Sequence, residues 1–539
     1  MMTIHARRAV ALALVAAPLS ARAQTLDVVD ATIGDVHAAF KASKLSCHAL
    51  VQSYLDRIAA YDKQGPALNA VQTVNPRALA EADSLDGVLA AAKKARQPMT
   101  PLFCVPVLLK DQIETRDMPT TYGSAIYADF VSTRDATVVG KLRAAGAIII
   151  AKTTMGEFAS RYMSSVSGPI RNAYDPTRNP SGSSGGTGSG LAASFGLVGI
   201  GEDTGGSIRG PAAVASLVGL RPTLQLVSRF GMLPANPTQD TMGPMARTVM
   251  DAALLLDIMA GYDANDPITA YAVTNIPGSY ATGLRPDALA GARLGILRPS
   301  GTSPRDSAGR DTTGRDTTGR DTMPGYAQVT TVMDAAFAQL RALGATVVDS
   351  IVLPRNEGGG ASNDYETEQA TDAYFRAHPN APVKTLKEIV LTGKMVPWRA
   401  ASMMSYIGKT TNDPGYLRVI QSREAQRVAV LKIMADQKLD AIIYATYDHP
   451  PTVIPADVMT NPKVRDGYGR GDNRGLSPSL GFPALTVPAG FTPDTLPVGL
   501  EFLGRPFSEA MLLGFGYAFE QATHHRRAPS RTPALARQR

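Results

Sequence analysis

Residues 181–210 read SGSSGGTGSGLAASFGLVGIGEDTGGSIRG: a serine- and glycine-rich segment, an apolar run, and a second glycine turn around Ser207. Several kinds of site use such loops. A phosphate loop needs G-x-x-x-x-G-K followed by Ser or Thr, and no lysine follows these glycines; the G-x-G-x-x-G spacing of a dinucleotide fingerprint is absent as well. A flexible linker would not be flanked by strand and helix patterns. Gly182–Gly186 (GSSGG) fits the G-x-S-x-G elbow of α/β-hydrolases, but an elbow follows a hydrophobic strand, and RNAYDPTRNPS precedes this one. Its histidine partner would be His449. An α/β-hydrolase-like esterase stands as one alternative reading.

Ser207 fits nucleophilic catalysis better. The strand pattern LVGIG leads into Glu202-Asp203-Thr204-Gly205-Gly206-Ser207, and Pro211 opens a helix pattern, PAAVAS. A serine on a tight turn between strand and helix has exposed backbone N–H groups beside it, as an oxyanion hole requires. Its hydroxyl is a weak nucleophile and needs a base. Lys110 is the candidate, closing the apolar run Val105–Leu109 in FCVPVLLKDQIET. Burial disfavours the charged form of a lysine and lowers its pKa, so that it accepts a proton. Lys152, after AIIIA, occupies a similar position and is read as structural.

Around this stretch, helix patterns alternate with short apolar runs. Val36–Tyr61 reads as one helix; Asp135–Ala145 as a helix before the strand Ala147–Ala151; Ala192–Phe195 as helical before Leu197–Ile200; and Gln328–Ala342 as a helix before the strand Ala345–Val348. The alternation predicts an α/β fold, a central mixed β-sheet surrounded by α-helices.

The chain has 539 residues, 44% hydrophobic and 19% charged, an ordinary globular composition. Lys and Arg number 54 against 47 Asp and Glu; three of the arginines fall in the first 23 residues, leaving a surplus of four for the rest. So dilute a charge argues against a nucleic-acid partner. The N-terminus, MMTIHARRAVALALVAAPLSARAQ, has a basic start, an apolar run and Ala21-Arg22-Ala23, the pattern of a secretory signal peptide over residues 1–23. The run is too short to span a bilayer. The expectation is an exported, periplasmic or secreted protein without membrane insertion, and residues 24–539 as one domain. Within it, RDSAGRDTTGRDTTG (305–319) marks a low-complexity surface insertion near 302–323. EGGGAS, Glu357–Ser362, marks another loop. Export permits a disulfide between the two cysteines, Cys47 and Cys104. No His–Cys cluster has metal-ligand spacing, so no metal is expected.

The motifs also carry a resemblance. Pro106–Asp111 fits P-x-x-x-K-D, Ser181–Gly186 is similar to GGSSGG, and Asp203–Arg209 fits D-x-G-G-S-I-R. In this order they resemble the amidase signature family of serine hydrolases, and the likeness runs through VGLRPT, DTMGPMARTVMDAALLLDIMAG and GFPALTVPAGF to cover nearly all of residues 30–525. The resemblance implies Lys110 as base, Ser183 as a cis-configured bridging serine and Ser207 as nucleophile. It implies an oxyanion hole from the backbone N–H groups of Thr204, Gly205, Gly206 and Ser207, with Ser184 bonded to that loop. Asp203 and Arg209 would hold the turn. No cofactor is implied, and the substrate would be a small-molecule linear amide, cut at a carbon–nitrogen bond other than a peptide bond. Ser181 in place of a usual glycine, Cys104, and Gln225-Leu226 depart from the pattern and bear on pocket shape. Two further readings stay open: a non-catalytic binding protein on an amidase scaffold, and a glutaminase-type subunit serving misacylated tRNA, against which the N-terminal leader argues.

Overall fold

The apolar runs VPVLL, IIIA and LVGIG become adjacent parallel strands in the computed structural model, which describes residues 26–298, 325–353, 361–464 and 473–536. The expected signal peptide, the repeat insertion, most of EGGGAS and the last three residues lie outside the described residues. The strands are β1 Val71–Val74, β2 Pro106–Lys110, β3 Ile148–Thr153, β4 Met163–Ser164, β5 Gly168–Pro169, β6 Val198–Asp203, β7 Val218–Arg221, β8 Thr241–Ala246, β9 Arg293–Leu297, β10 Thr346–Ile351, β11 Ala441–Ala445, β12 Ala484–Phe491 and β13 Pro497–Leu503. Eleven of them form one sheet in the order β1-β3-β2-β6-β8-β7-β12-β13-β11-β9-β10; β4 and β5 pair separately. The sheet is mixed, parallel across β3-β2-β6 and β11-β9-β10 and antiparallel elsewhere. This is the expected α/β class.

Every residue of β2, β3 and β6 is buried. Strands covered on both faces read as continuous apolar runs rather than alternating ones, and these three do until their last residues. There they turn polar: Lys110 ends β2, Lys152-Thr153 ends β3, and Glu202-Asp203 ends β6. Because the strands are parallel, these groups gather at one edge of the sheet, at the carboxyl ends where α/β proteins bind ligands.

Two helix pairs lie against the central strands: Gly185–Ala192 with Arg209–Ala213, and Val249–Met259 with Glu509–Thr523. The first begins at Gly185, upstream of the expected Ala192–Phe195. Its glycines have little helix propensity, so contact decides it. A Cβ on Gly186 would come within 2.2 Å of the Thr154 carbonyl oxygen and 2.5 Å of that of Ala70. The helix of PAAVAS likewise starts earlier, at Arg209. The single helix expected over Val36–Tyr61 is two, Ile33–Lys41 and Cys47–Tyr61. Ser43 takes φ 54°, and Ser46 caps the second helix by accepting from Ala49 N–H. A serine offering the backbone this alternative stops the first helix and starts the next.

Cys47 opens that second helix and Cys104 lies two residues before β2; they form a disulfide with Cα atoms 5.8 Å apart. Among the described residues, no helix is long and apolar enough to cross a membrane.

Candidate active site

β2 delivers Lys110 to the sheet edge, where its Nζ lies 2.7 Å from Ser183 Oγ, 2.7 Å from Glu202 Oε2 and 3.3 Å from the Glu202 carbonyl oxygen. All three residues are fully buried. Burial pushes the Lys110 pKa below its ordinary value, although the Glu202 carboxylate pulls it upward.

Ser183 and Ser184 lead into the glycine helix. The Gly182–Ser183 peptide is cis, and a Cβ on Gly182 would overlap the Arg161 carbonyl at 1.7 Å, so only glycine fits there. Ser183's carbonyl accepts from Gly156 N–H at 3.1 Å. Ser184 Oγ bonds the Glu202 carbonyl at 3.2 Å and accepts from Glu202 N–H at 3.3 Å, while Ser184 N–H donates to the Ser207 carbonyl at 3.3 Å. Ser184 thus laces β6 and the Ser207 turn together, and its hydroxyl faces the strand backbone rather than a ligand.

The turn after β6 is organised by Asp203. Its Oδ1 accepts from Gly206 N–H at 2.7 Å, and its Oδ2 accepts from Ile208 N–H at 3.1 Å and Arg209 Nε at 3.1 Å. Arg221 lies 3.3 Å from Oδ1. Burial alone would raise the Asp203 pKa; the Arg209 and Arg221 charges and the turn N–H bonds override it and hold the carboxyl well below the usual range. Arg209 continues to Glu501 and, at 2.8 Å, to the Arg474 carbonyl. Asp203 thus bonds two N–H groups of the turn and the Arg209 guanidinium. One expectation is corrected: the Gly206 N–H is spent on Asp203, so it is not one of the outward donors. Thr204, Gly205 and Ser207 remain as candidates, and here the site opens, with Gly205 exposed and Ser207 9% exposed. Ser207 Oγ makes no hydrogen bond among the described residues.

Two residues given no role from sequence belong to the same cluster. Thr204 Oγ1 lies 2.5 Å from Glu202 Oε1 and 2.7 Å from Asp240 Oδ1. The signal in the sequence was Glu202 itself, a charge at the end of an apolar strand; Asp240, 38 positions later, carried none. Burial, and then the Glu202 charge, push the Asp240 pKa up to about 8.

Lys152 reaches Thr120 Oγ1 at 2.9 Å, the Pro119 carbonyl at 3.3 Å and Asp111 at 3.7 Å, away from the serines. The elbow reading fails on local structure, since no strand runs into Ser184: residues 172–184 are turns and coil apart from one isolated bridge. His449 Nδ1 lies 2.8 Å from the Pro450 carbonyl.

A family model described as "Amidase" matches residues 49–313 and 321–513. A probable amidase of Arabidopsis thaliana is 31% identical over 535 residues, covering 94% of this chain and 92% of that one. One of the subunits of the glutamyl-tRNA(Gln) amidotransferase of Ralstonia nicotianae is 34% identical over 538 residues, covering 93% and 99%. Among solved structures, the native peptide amidase of Stenotrophomonas maltophilia superposes with a TM-score of 0.77 at 32% identity, over 93% of this chain and 98% of that chain.

Proposed function

The chain belongs to the amidase family, whose C–N hydrolase chemistry it shares, and from that premise we propose that it is an exported amidohydrolase working through an acyl-enzyme on Ser207, with Ser183 and Lys110 as its proton relay. The observation that carries this reading is the 2.7 Å contact of a fully buried lysine with the Ser183 hydroxyl, beside a turn that holds the nearly buried Ser207 next to the exposed Gly205.

Substrate binding aligns Ser207 Oγ with Ser183; such bonds tighten in the complex. Ser207 Oγ bonds to the amide carbon as its proton passes to Ser183, and the Ser183 proton passes to Lys110 Nζ. The carbonyl oxygen takes the negative charge, facing the N–H groups of the turn. The C–N bond then breaks; its nitrogen takes a proton from Ser183, which is refilled from Lys110, and the amine leaves. Water attacks the ester by the same relay and releases the acid. The substrate is a small-molecule carboxylic amide, and no cofactor takes part. The N-terminal leader pattern supports export. The likeness to the amidotransferase chain supports a second reading, an ammonia-releasing component of a larger assembly.

The test is Ser207→Ala in purified protein. Labelling by a serine-reactive fluorophosphonate and amide turnover should both vanish, with circular dichroism unchanged. Near-normal turnover in the variant would overturn the nucleophile assignment, and wild-type protein that hydrolyses amides only with added partner chains would favour the second reading.

A further inference from the structure

The group behind Lys110 has more acceptors than protons to fill them if every acid is ionised. Thr204 Oγ1 sits within hydrogen-bond distance of two carboxylate oxygens, Glu202 Oε1 at 2.5 Å and Asp240 Oδ1 at 2.7 Å. A hydroxyl has one proton and satisfies one of them. The other contact needs a proton from its own carboxyl group. The remaining carboxylate oxygens are already supplied: Glu202 Oε2 by Lys110 Nζ, and Asp240 Oδ2 by the N–H groups of Ala235 and Asn236 at 2.8 and 2.7 Å. The extra proton therefore lies on an oxygen facing Thr204. Asp240 is the one whose carboxyl pKa burial and the neighbouring Glu202 charge push up to about 8, which leaves the proton on Asp240 Oδ1. The bonds then run in one direction: Asp240 donates to Thr204, and Thr204 donates to Glu202.

The same count fits Lys110 in its neutral form. A neutral amine has two N–H bonds and one lone pair. Glu202 Oε2 and the Glu202 carbonyl accept the N–H bonds, and the lone pair faces Ser183 Oγ.

We propose that Glu202, Thr204 and Asp240 form a carboxyl pair sharing one proton behind Lys110, and that Glu202 acts as a positioning residue that aims the lysine's lone pair at Ser183 and takes up the ammonium charge when the relay proton arrives. The proposal rests on Lys110 being the base. The proton balance closes: as Ser207 gives its proton to Ser183, Ser183 gives its own to Lys110 Nζ, the Asp240 proton stays in place, and Lys110 refills Ser183 when Ser183 protonates the leaving nitrogen. The charged groups around the pair are Lys110 from β2, Asp203 from β6, Arg221 from β7 and, toward Asp240, Arg229. Asp240 also borders a cavity of about 360 Å³ lined by Arg134, Arg229 and Tyr374, which gives the outer end of the pair a way to exchange its proton.

The test is the pH profile of amide kcat/KM. In the wild type the rate rises as Lys110 loses its proton and falls as the pair loses its own near pH 8, since a second carboxylate charge draws a proton onto the lysine and pushes Glu202 and Asp240 apart. Asp240→Asn keeps the hydrogen bonds, donating from Nδ2 to Thr204, and has no proton to lose; its alkaline limb should be gone. Glu202→Gln keeps the shape without the charge; kcat should fall about tenfold or more with KM little changed, and the acid limb should move down by about a pH unit. An alkaline limb that persists near pH 8 in Asp240→Asn, or a Glu202→Gln rate lowered evenly at every pH, would overturn the proposal. If either variant does not fold, Thr204→Val and Thr204→Ser decide: Val should displace the alkaline midpoint and Ser should hold it, and the same midpoint in both overturns the pair. A protonated-carboxyl infrared band lost near pH 8 in Ser207→Ala as in the wild type separates the two readings. If Ser207→Ala stays active, the acyl-enzyme falls while the carboxyl pair stands.

Discussion

Lys110 and Lys152 end neighbouring parallel strands, with Leu109 opposite Lys152 and Lys110 opposite Thr153. Both are fully buried, and burial lowers both pKa values. Each touches a hydroxyl, Ser183 at 2.7 Å and Thr120 at 2.9 Å, and each has a carboxylate nearby, at 2.7 and 3.7 Å. They differ in what lies beyond the hydroxyl. Ser183 is one residue from Ser184, whose N–H holds the carbonyl of Ser207 at the edge of the opening. Thr120 is fully buried, in a turn whose next residue, Thr121, is bonded to Asp111. Burial favours the neutral form of either lysine; only Lys110 touches a hydroxyl on the segment bonded to the Ser207 turn.

The largest effect that sharpens this contrast belongs to Lys110→Ala. On an anilide, kcat/KM should fall by about a thousandfold or more. On the nitrophenyl ester of the same acid the loss should be at least about tenfold smaller, because a phenolate leaves without a proton; each tenfold corresponds to about 1.4 kcal/mol of transition-state stabilisation. Equal losses on both, with acylation limiting, would confine Lys110 to the attack step.

Lys152→Met should act on stability instead. It leaves Asp111 buried without its cation, a change that costs about 3–5 kcal/mol in comparable pairs, while kcat/KM of the folded fraction stays within about threefold. Thermal melts and kinetics on the same preparation check it. Loss of turnover equal to that of Lys110→Ala, in protein with wild-type circular dichroism, breaks the comparison.

A smaller effect on the site is expected at the other end of β2. Cys47 and Cys104 are 57 positions apart, and opening a loop of that size removes about 4 kcal/mol on a chain-entropy account. The double serine variant should melt earlier yet keep kcat/KM, since the bridge braces the start of the strand and Lys110 its end. Two free thiols in unreduced peptides, read by mass spectrometry, would remove this prediction.

Sequence pattern singles out Lys110, Ser183 and Ser207 because each sits in a short motif whose residues are neighbours along the chain. The strands around them were legible for the same reason: a doubly covered strand is an unbroken apolar run, and AIIIA and LVGIG are such runs. Asp240 was not legible. It reaches Thr204 only because β6 and β8 pair with Asp203 opposite Thr241, a contact between distant segments that no local pattern encodes. The break near Ser43 was missed because apolar spacing continued through it while side-chain capping did not. The Gly206 N–H was assigned outward because a motif gives the order of residues and not the direction of their donors.

The glycine helix that carries Ser183 toward the sheet separates two kinds of importance. At Gly182 and Gly186 the backbone of another segment stands where a side chain would begin, so any larger residue must displace the serine or the strand. Neither glycine carries a side chain that could take part in chemistry. In a survey of every single substitution, the deepest intolerance would therefore fall on residues with no chemical group at all, and exposed Gly205, where an added Cβ meets nothing within 4 Å, would score as more forgiving. A map of what this chain refuses to change is a map of clearance, and its chemistry must be sought by a different measurement.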